Sequence, residues 1–460
     1  MNTKQVKKEL FGTNGVRGVV GEDMTPDLVM KIGLSLGTMI QGRIALGRDT
    51  RTSGEALAAA MRAGLLASGC DVVDLGILPT PALQYLVREH YDGGAMITAS
   101  HNPPEYNGVK VIESDGTEMD DERTIQLESL IFSGNVTFKK WNHVGRLTNE
   151  SHRIEEYIQA VVSQCEDACC TGLCVVVDPG FGPSAATTPE ILRRMGCTVH
   201  TINGLFDGRF PGRLPEPGAE ELTLLSETVR ATGADFGVAH DGDADRAVFV
   251  DETGSFINEN VTFAMLAQEV CRKSPGIVVT PISTSDVIKE IADENGCTTI
   301  KTPVGSIYVA RTMLKCIADG HAVAFGGEGN GGLIFPSHQF CRDGGMTAAA
   351  MAALVAGSGE RISILAETIP AYTMLKEKIY TDNLSGLLSH VRSIASDLHL
   401  DETDGIHIRW EDAWALVRPS GTEPFVRIYI ESRDPARAED IRQFLKSSLY
   451  THTQKSTTSP

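Results

Sequence analysis

The segment HDGDADR places three carboxylates at alternate positions between two apolar runs, FGVA and AVFV. Asp241, Asp243 and Asp245 repel one another at this spacing unless a cation offsets their charge. Carboxylate oxygens suit Mg²⁺ or Ca²⁺, and Mg²⁺ usually keeps positions for water and a substrate phosphate. A helix–loop–helix calcium site is excluded, because Arg246 stands where that loop needs glycine and the flanking runs predict strands. The segment is predicted to hold Mg²⁺; the alternative is a solvated acidic hairpin turn.

Ser100 stands in a second segment, TASHNPPEYNGVK, which follows an apolar strand. No G-x-S-x-G surrounds it, and His101 is expected to point elsewhere along an extended chain, which argues against a hydrolase triad. A phosphate on this serine would add a charge of about −1.5 to −2. A metal held by the three aspartates would offset that charge, and Lys110 would move a proton to or from a sugar hydroxyl. The alternative is that Ser100 is only a turn residue.

Two further loops have compositions that suit a phosphorylated sugar. The segment RPSGTEP offers hydroxyls and an accessible backbone at Ser420, Gly421 and Thr422, beside the guanidinium groups of Arg418 and Arg427. Guanidinium groups match phosphate geometry, so this loop is predicted to cradle a phosphate, with a polar hairpin turn as the alternative.

The segment GGEGNGG places Glu328 and Asn330 among five glycines. It lacks the lysine and the hydroxyl residue of a P-loop. One carboxylate and one amide on an exposed backbone suit the recognition of sugar hydroxyls, and a flexible turn is the alternative.

Composition narrows the classes of partner. The chain has 460 residues, a formal net charge of −19 and 42% hydrophobic residues. This charge argues against a nucleic-acid partner, which is bound through clustered lysines and arginines. No targeting segment is recognisable and no apolar run approaches about 18 residues, so we expect a cytoplasmic protein without a membrane partner.

A recurring pattern predicts the domain organisation. Gly69, Gly196 and Gly296 each end a helical stretch and are followed by cysteine and a β-rich run. Three such copies predict three related α/β domains, while the last ~90 residues predict a smaller α+β unit. The predicted domains are residues 1–150, 151–253, 254–368 and 369–460.

In the order TASHNPPEYNGVK, DGDADR, GGEGNGG and RPSGTEP, the segments resemble those of the α-D-phosphohexomutase superfamily along nearly the whole chain. The resemblance implies three similar α/β domains with mixed sheets and a C-terminal α+β domain of the TATA-box-binding-like type, around a central cleft. It implies a phosphoserine at Ser100 and one Mg²⁺ bound by Asp241, Asp243, Asp245 and that phosphate. The expected site has Ser100, Lys110, His101 and Arg17 as catalytic residues and Arg246, Gly305, Glu328, Asn330, Arg418, Ser420, Gly421, Thr422 and Arg427 as substrate-binding residues.

The reaction that the resemblance implies moves a phosphate between the 6- and 1-positions of a hexose. Phospho-Ser100 donates to the free hydroxyl, the resulting hexose bisphosphate turns over in the cleft, and its other phosphate returns to Ser100. The same bisphosphate would serve as activator. A Mg²⁺-dependent sugar phosphatase and a non-catalytic sugar-phosphate sensor are the rival functions.

Some residues depart from the family pattern. Many members carry serine and then histidine in the sugar loop, where this chain has Asn330, Gly331 and Gly332, and Arg213 stands where many have histidine. The pattern is most like that of archaeal phosphoglucosamine mutases. The expected reaction is therefore glucosamine 6-phosphate to glucosamine 1-phosphate, with mannose and glucose phosphates as alternatives, and the chain is a monomer or a homo-oligomer.

Overall fold

The computed structural model describes residues 8–381, 383–419 and 425–456, which form four β-sheets in chain order. The first three sheets mix parallel and antiparallel strands and alternate with helices, whereas the fourth is antiparallel throughout. The predicted fold class, three mixed α/β units followed by an α+β unit, is confirmed. None of the helices in these ranges combines the length and apolar character needed to cross a bilayer.

The first sheet has six strands in the order β1-β5-β4-β2-β3-β6. Its elements are β1 (Val16–Val19), α1 (Pro26–Ile40), β2 (Arg43–Arg48), α2 (Gly54–Ala67), β3 (Asp71–Ile77), α3 (Thr80–His90), β4 (Gly93–Ile97), β5 (Tyr106–Glu113), α4 (Asp121–Ser133) and β6 (Leu147–Asn149). Every residue of β4 is buried, as expected of a central strand. The loop of residues 98–105 therefore begins at the end of a central strand, where the loops of α/β proteins commonly carry the site.

The second sheet has the order β11-β10-β9-β7-β8. Its elements are α5 (Ile154–Gln164), β7 (Cys174–Asp178), α6 (Thr188–Arg194), β8 (Thr198–Thr201), α7 (Thr223–Thr232), β9 (Phe236–His240), β10 (Ala247–Asp251) and β11 (Phe256–Ile257). Strands β9 and β10 pair antiparallel from His240 opposite Ala247, so residues 241–246 form the hairpin loop. Because β11 pairs with β10, this sheet extends past residue 253; the domain bounds stay predictions.

The third sheet has the order β13-β12-β14-β15. Its elements are α8 (Glu259–Lys273), β12 (Ile277–Pro281), α9 (Val287–Glu294), β13 (Thr298–Thr302), α10 (Ser306–Ala318), β14 (Val323–Glu328), β15 (Gly332–Ile334), α11 (Gly344–Ser358) and α12 (Ile362–Glu367). Glu328 pairs with Gly332 across the β14–β15 hairpin. The predicted sugar loop is therefore a three-residue turn at the end of a central strand.

The fourth sheet has the order β16-β20-β19-β18-β17. Its elements are β16 (Thr373–Tyr380), α13 (Leu384–Ile394), β17 (His399–Asp401), β18 (Ile406–Arg409), β19 (Ala413–Pro419), β20 (Phe425–Ser432) and α14 (Pro435–Ser456). Val426, Ile428 and Ile430 share one face and pack in a core with residues of α13 and α14, as their alternation predicts. On the other face Trp414 and Leu416 pack against Ile282 of the third unit.

The three repeated glycines end helices α2, α6 and α9. Gly69, Gly196 and Gly296 have φ angles of 94°, 101° and 73°, in the left-handed region that glycine adopts without a steric penalty. The cysteine after each is buried, and the strand that follows is β3, β8 or β13. The predicted cap geometry is confirmed at all three positions, which supports the relation between the three α/β units.

Candidate functional site

The hairpin loop of the second sheet is buried. Asp241, Asp243 and Asp245 have relative exposures of 0%, 0% and 2%. One ligand atom from each lies within 4.8 Å of those of the other two. The alternative of a solvated acidic turn is wrong, because water does not reach these carboxylates. Their proximity requires compensating positive charge.

In Asp243 and Asp245, one carboxylate oxygen accepts hydrogen bonds from protein donors, and the other accepts none from the described residues. Asp243 Oδ2 accepts from the hydroxyl of Thr80 at 2.6 Å and from Lys110 Nζ at 2.8 Å. Asp245 Oδ2 accepts from Lys110 Nζ at 3.0 Å and from Arg342 Nη2 at 2.5 Å. Asp243 Oδ1 and Asp245 Oδ1 are buried without a hydrogen-bond partner among the described residues. Two such oxygens beside a third carboxylate fit a hard divalent cation such as Mg²⁺.

The pKa values of this cluster reflect its crowding. Burial raises the pKa of Asp241 well above its ordinary value, and the charges of Asp245 and Asp243 raise it further. Burial also raises the pKa of Asp245, but Arg342 and Lys110 outweigh it and hold that pKa below its usual range. Burial lowers the pKa of Lys110, and the neighbouring carboxylates overcome this and raise it. Lys110 therefore carries a positive charge among the carboxylates.

Ser100 lies against the aspartate loop, 141 residues away in sequence. Its Oγ donates to Asp241 Oδ2 at 2.9 Å, and its side chain is fully buried. Its φ is 51°, a left-handed conformation that is uncommon for a residue other than glycine. This turn brings His101 Nδ1 to 3.4 Å from Ser100 Oγ. The expectation of an extended chain with His101 pointing elsewhere is therefore wrong.

His101 and Arg246 lie next to Ser100 and share a hydrogen bond. Arg246 Nη2 donates to His101 Nδ1 at 3.1 Å, and Arg246 Nη1 donates to Glu216 Oε1 at 2.9 Å. Burial lowers the pKa of His101 to about 2, and the charges of Arg246 and Arg17 add to the effect. The imidazole is neutral at physiological pH and accepts a hydrogen bond from the guanidinium.

Arg17 approaches the same loop from β1. Its Nη1 donates to Asn102 Oδ1 at 2.9 Å. Burial lowers the pKa of Arg17, while the charges of Asp243 and Asp245 oppose that shift. The structure thus groups the predicted residues Ser100, His101, Lys110, Arg17 and Arg246 with the three aspartates.

Arg342 connects the predicted sugar loop to the aspartate loop, and the sequence offered no signal for it. Its Nη1 donates to Glu328 Oε2 at 2.7 Å, while its Nη2 reaches Asp245. A Cβ at Gly332 would lie 2.3 Å from Arg342 Cδ, so the arginine stem occupies the space that a side chain there would need. Asn330 accepts from the N–H of Gly332 at 3.1 Å and so shapes the turn.

The predicted phosphate loop is described only in part, since Ser420, Gly421 and Thr422 lie outside the described residues. Arg418 donates to Asp404 Oδ2 at 2.7 Å, and the same oxygen accepts from the N–H of Val304 at 2.9 Å. Gly305 follows Val304 with a φ of 141°, which glycine tolerates best, and precedes α10. Asp404 therefore links Arg418 to Val304, the residue that precedes the predicted site residue Gly305.

A row of cations crosses the fourth sheet at this point. Arg418 pairs in register with Arg427, which in turn pairs with Lys378 on β16. Arg427 is exposed, and its guanidinium carbon lies 5.6 Å from the centre of the Phe425 ring. Like charges opposite one another across strands are unfavourable without a counter-ion, so this face suits an anion. Lys378 was not predicted from the sequence, because its register with Arg427 depends on strand pairing.

Comparison with known proteins places most of the chain in one family. Four domain descriptions match in order: "Phosphoglucomutase/phosphomannomutase, alpha/beta/alpha domain I" over residues 8–137, domain II over 155–254, domain III over 258–372 and the C-terminal domain over 377–447.

Individual relatives agree with these matches. The chain is 43% identical over 445 residues to the phosphoglucomutase/phosphomannomutase of Thermococcus kodakarensis, covering 94% of this chain and 96% of that one. It is 36% identical over 453 residues to the phosphoglucosamine/phosphogalactosamine mutase of Sulfurisphaera tokodaii, covering 95% and 98%. A crystal structure of a phosphoglucomutase/phosphomannomutase family protein from Burkholderia thailandensis superposes with a TM-score of 0.85 at 25% identity, covering 96% and 97%.

Proposed function

Because the chain belongs to the phosphoglucomutase/phosphomannomutase family and is a phosphomutase of the isomerase class, we propose that it interconverts a hexose 6-phosphate and the 1-phosphate through phospho-Ser100. The observation that carries this proposal is the buried 2.9 Å hydrogen bond from Ser100 Oγ to Asp241. It supports a carrier hydroxyl at the edge of a carboxylate cluster that suits a cation.

Each half of the proposed reaction moves one phosphoryl group. The phosphorus–oxygen bond to Ser100 breaks as a bond from phosphorus to the free sugar hydroxyl oxygen forms. The sugar hydroxyl loses its proton, the Ser100 oxygen gains one, and the hexose bisphosphate results. The bisphosphate then presents its other phosphate, which returns to Ser100 and leaves the isomeric monophosphate. Water must be kept from the phosphoserine during this exchange, because hydrolysis would compete with transfer to the sugar.

The three aspartates would bind the metal ion, and neighbouring cations hold their carboxylates in place. Asp241, Asp243 and Asp245 would hold Mg²⁺ together with the serine phosphate. When bound, Mg²⁺ acts as a Lewis acid that polarises the phosphoryl group. Lys110 orients the carboxylates of Asp243 and Asp245 through their Oδ2 atoms, and Arg342 also holds Oδ2 of Asp245.

The remaining predicted residues would bind the sugar phosphate. Arg17 and Arg246 lie next to the Ser100 loop and supply positive charge for the reacting phosphate. Arg418, Arg427 and the predicted residues Ser420, Gly421 and Thr422 would anchor the phosphate that does not react. Glu328, Asn330 and Gly305 would orient the sugar through its hydroxyls.

Glucosamine 6-phosphate is the substrate that we favour. Arg342 holds Oε2 of Glu328, and no described residue hydrogen-bonds to Oε1, so Oε1 would bind a sugar group. A carboxylate pairs more strongly with the ammonium of a hexosamine than with a hydroxyl. The similarity to the phosphoglucosamine/phosphogalactosamine mutase of S. tokodaii supports this choice. The relative from T. kodakarensis keeps glucose and mannose phosphates as alternatives.

A side-by-side assay tests both the proposed reaction and the proposed choice of sugar. Glucosamine, mannose and glucose 6-phosphates are each incubated with the enzyme, Mg²⁺ and the matching 1,6-bisphosphate, and the 1-phosphate and inorganic phosphate are both quantified. The proposal expects the highest kcat/KM with glucosamine 6-phosphate and no stoichiometric release of inorganic phosphate. Release of inorganic phosphate without 1-phosphate would identify a phosphatase instead.

The carrier role is tested by substitution. Ser100→Ala should abolish formation of the 1-phosphate while circular dichroism shows an unchanged fold, because among the described residues no second hydroxyl hydrogen-bonds to Asp241. Near-normal turnover in that variant would refute Ser100 as carrier.

A further inference from the structure

Arg51 lies buried beneath the loop that carries Ser100, and its guanidinium group donates hydrogen bonds to four main-chain carbonyls between Ser100 and Tyr106. Nη2 donates to the carbonyl oxygens of Ser100 at 2.7 Å and Asn102 at 2.6 Å. Nη1 donates to those of Pro103 at 2.6 Å and Tyr106 at 2.9 Å. One planar cation thus fixes the path of the chain from Ser100 to the start of β5.

Asp49 orients Arg51 and is also linked to the N–H of Ser100 through the hydroxyl of Thr98. Its Oδ2 accepts from Arg51 Nε at 3.1 Å, and its Oδ1 accepts from the Arg51 N–H at 2.9 Å. The same carboxylate accepts from the hydroxyl of Thr98 at 2.6 Å, and that hydroxyl accepts from the Ser100 N–H at 2.8 Å. The N–H and the carbonyl of Ser100 are therefore both tied to the Asp49–Arg51 pair.

A loop from the second sheet covers this arrangement. A Cβ at Gly208 would lie 2.3 Å from both the carbonyl oxygen of Thr50 and the N–H nitrogen of Thr52, so the two backbones are in direct contact. The guanidinium carbon of Arg51 lies 5.3 Å from the centre of the Phe210 ring. The arginine is held between the serine loop and an aromatic ring, which leaves it one orientation.

We propose that Arg51 is a positioning residue for phosphoryl transfer, which holds the left-handed backbone at Ser100 so that Oγ faces Asp241. This inference rests on the proposed function of Ser100 as phosphate carrier. The φ of 51° at Ser100 is unfavourable for a serine and needs support from its surroundings. Four hydrogen bonds from one buried cation supply that support.

Lysine cannot replace arginine in this role. Its ammonium is a compact charge with three donors, whereas the guanidinium is a planar fork whose donors point in fixed directions. Arg51→Lys keeps the charge and much of the stem but cannot reach four carbonyls. The charge of Arg51 and its geometry can therefore be tested separately.

The experiment follows phosphorylation of Ser100 by a hexose 1,6-bisphosphate, using intact-protein mass on the full chain, and compares wild type with Arg51→Ala and Arg51→Lys. Misplacement of a reacting group by about 1 Å costs about 100-fold in rate. We expect a loss of about that size in both variants, with the KM for the sugar phosphate within about twofold of wild type. Guanidinium ion at millimolar concentration should restore part of the rate in Arg51→Ala and none in Arg51→Lys.

Arg62→Ala is the matched control, because it removes an arginine of the same domain whose partners are Asp74 and Glu55. Its phosphorylation rate should stay within about twofold of wild type. Full rate in a folded Arg51→Lys variant overturns the inference, and so does a loss that guanidinium ion does not relieve in a folded Arg51→Ala variant. Failure of the wild type itself to accept a phosphoryl group at Ser100 would instead refute the proposed function.

Discussion

Thr80 donates its hydroxyl to Asp243 Oδ2 at 2.6 Å, and its N–H donates to the carbonyl oxygen of the same aspartate at 3.0 Å. The first turn of α3 thus holds the middle residue of a loop that lies 163 residues away in sequence. Because Oδ2 is engaged, Oδ1 is the oxygen left for a cation. A threonine of α3 therefore orients an aspartate of the proposed metal site.

Thr80→Val should weaken divalent-cation binding about tenfold, because loss of an outer hydrogen bond to a ligand typically costs 10–100-fold in metal affinity. Mn²⁺ binding followed by electron paramagnetic resonance measures this without turnover. Thr80→Ser keeps the hydroxyl and is the control, with affinity close to wild type. Equal affinity in the valine variant would show that Asp243 does not need this orientation.

Arg342→Met should raise the KM for the sugar phosphate about tenfold and weaken Mn²⁺ binding, because Glu328 and Asp245 both lose the group that orients them. Removing one partner of a buried ion pair also destabilises the fold, by about 3–5 kcal/mol. Arg311→Met removes an arginine paired with Glu113 and Asp115 outside the site and controls for that loss of stability. A variant that lowers the melting temperature but leaves KM and Mn²⁺ affinity unchanged would contradict the orienting role.

Arg427→Ala should raise the KM for the sugar phosphate about tenfold with little change in kcat, because a hydrogen bond to a charged group contributes about 1.5–3 kcal/mol. Lys378→Met should have a smaller effect of the same kind, since it lies next to Arg427 in the cross-strand row. Lys376→Met is the control, because this lysine pairs with Tyr429 instead. Steady-state kinetics on all three variants provide the measurement, and an unchanged KM in Arg427→Ala would count against the anchor.

His407 should make the stability of the C-terminal unit depend on pH. It is buried, and its ring stacks on Trp414 with ring centres 5.0 Å apart. Burial lowers the pKa of His407 from 6.5 to about 4, and the charges of Arg409 and Lys301 add to the effect. Between pH 6.5 and about pH 4, His407 of the unfolded chain binds a proton that His407 of the folded chain does not. The free energy of unfolding therefore falls as the pH drops through this interval.

The expected loss from His407 between pH 7 and pH 5 is about 2 kcal/mol, since each pKa unit corresponds to about 1.4 kcal/mol. Urea unfolding followed by tryptophan fluorescence at both pH values measures it. His407→Gln does not titrate and should lose less stability than wild type over the same interval. An identical pH dependence in the two proteins would show that another group is responsible.

Much of this architecture could be predicted from the sequence, because the relevant signals are local. The glycine after each of three helices and the apolar runs around the aspartates depend on neighbours within a few residues. The same holds for the alternation of Val426, Ile428 and Ile430. Short-range sterics and burial act on such patterns directly, and the structure agrees with them.

The orientation of His101 could not be predicted in this way. It depends on the left-handed φ of Ser100, and that conformation depends on Arg51 and Asp49, about fifty residues earlier. From the sequence alone, an extended chain was the reasonable expectation because serine seldom adopts positive φ. A distant buried cation overrode the local preference.

The amino-acid sequence reveals which groups are available: a serine on a loop after a strand, three alternating carboxylates, and cations in several glycine-rich loops. The folded chain adds which oxygens of those carboxylates accept hydrogen bonds from Thr80, Lys110 and Arg342, and which accept none from the described residues. The reason is physical: those donors come from segments about 100 residues or more away. Their positions therefore depend on how the sheets and helices of different domains pack together, and spacing along the chain carries no information about that packing.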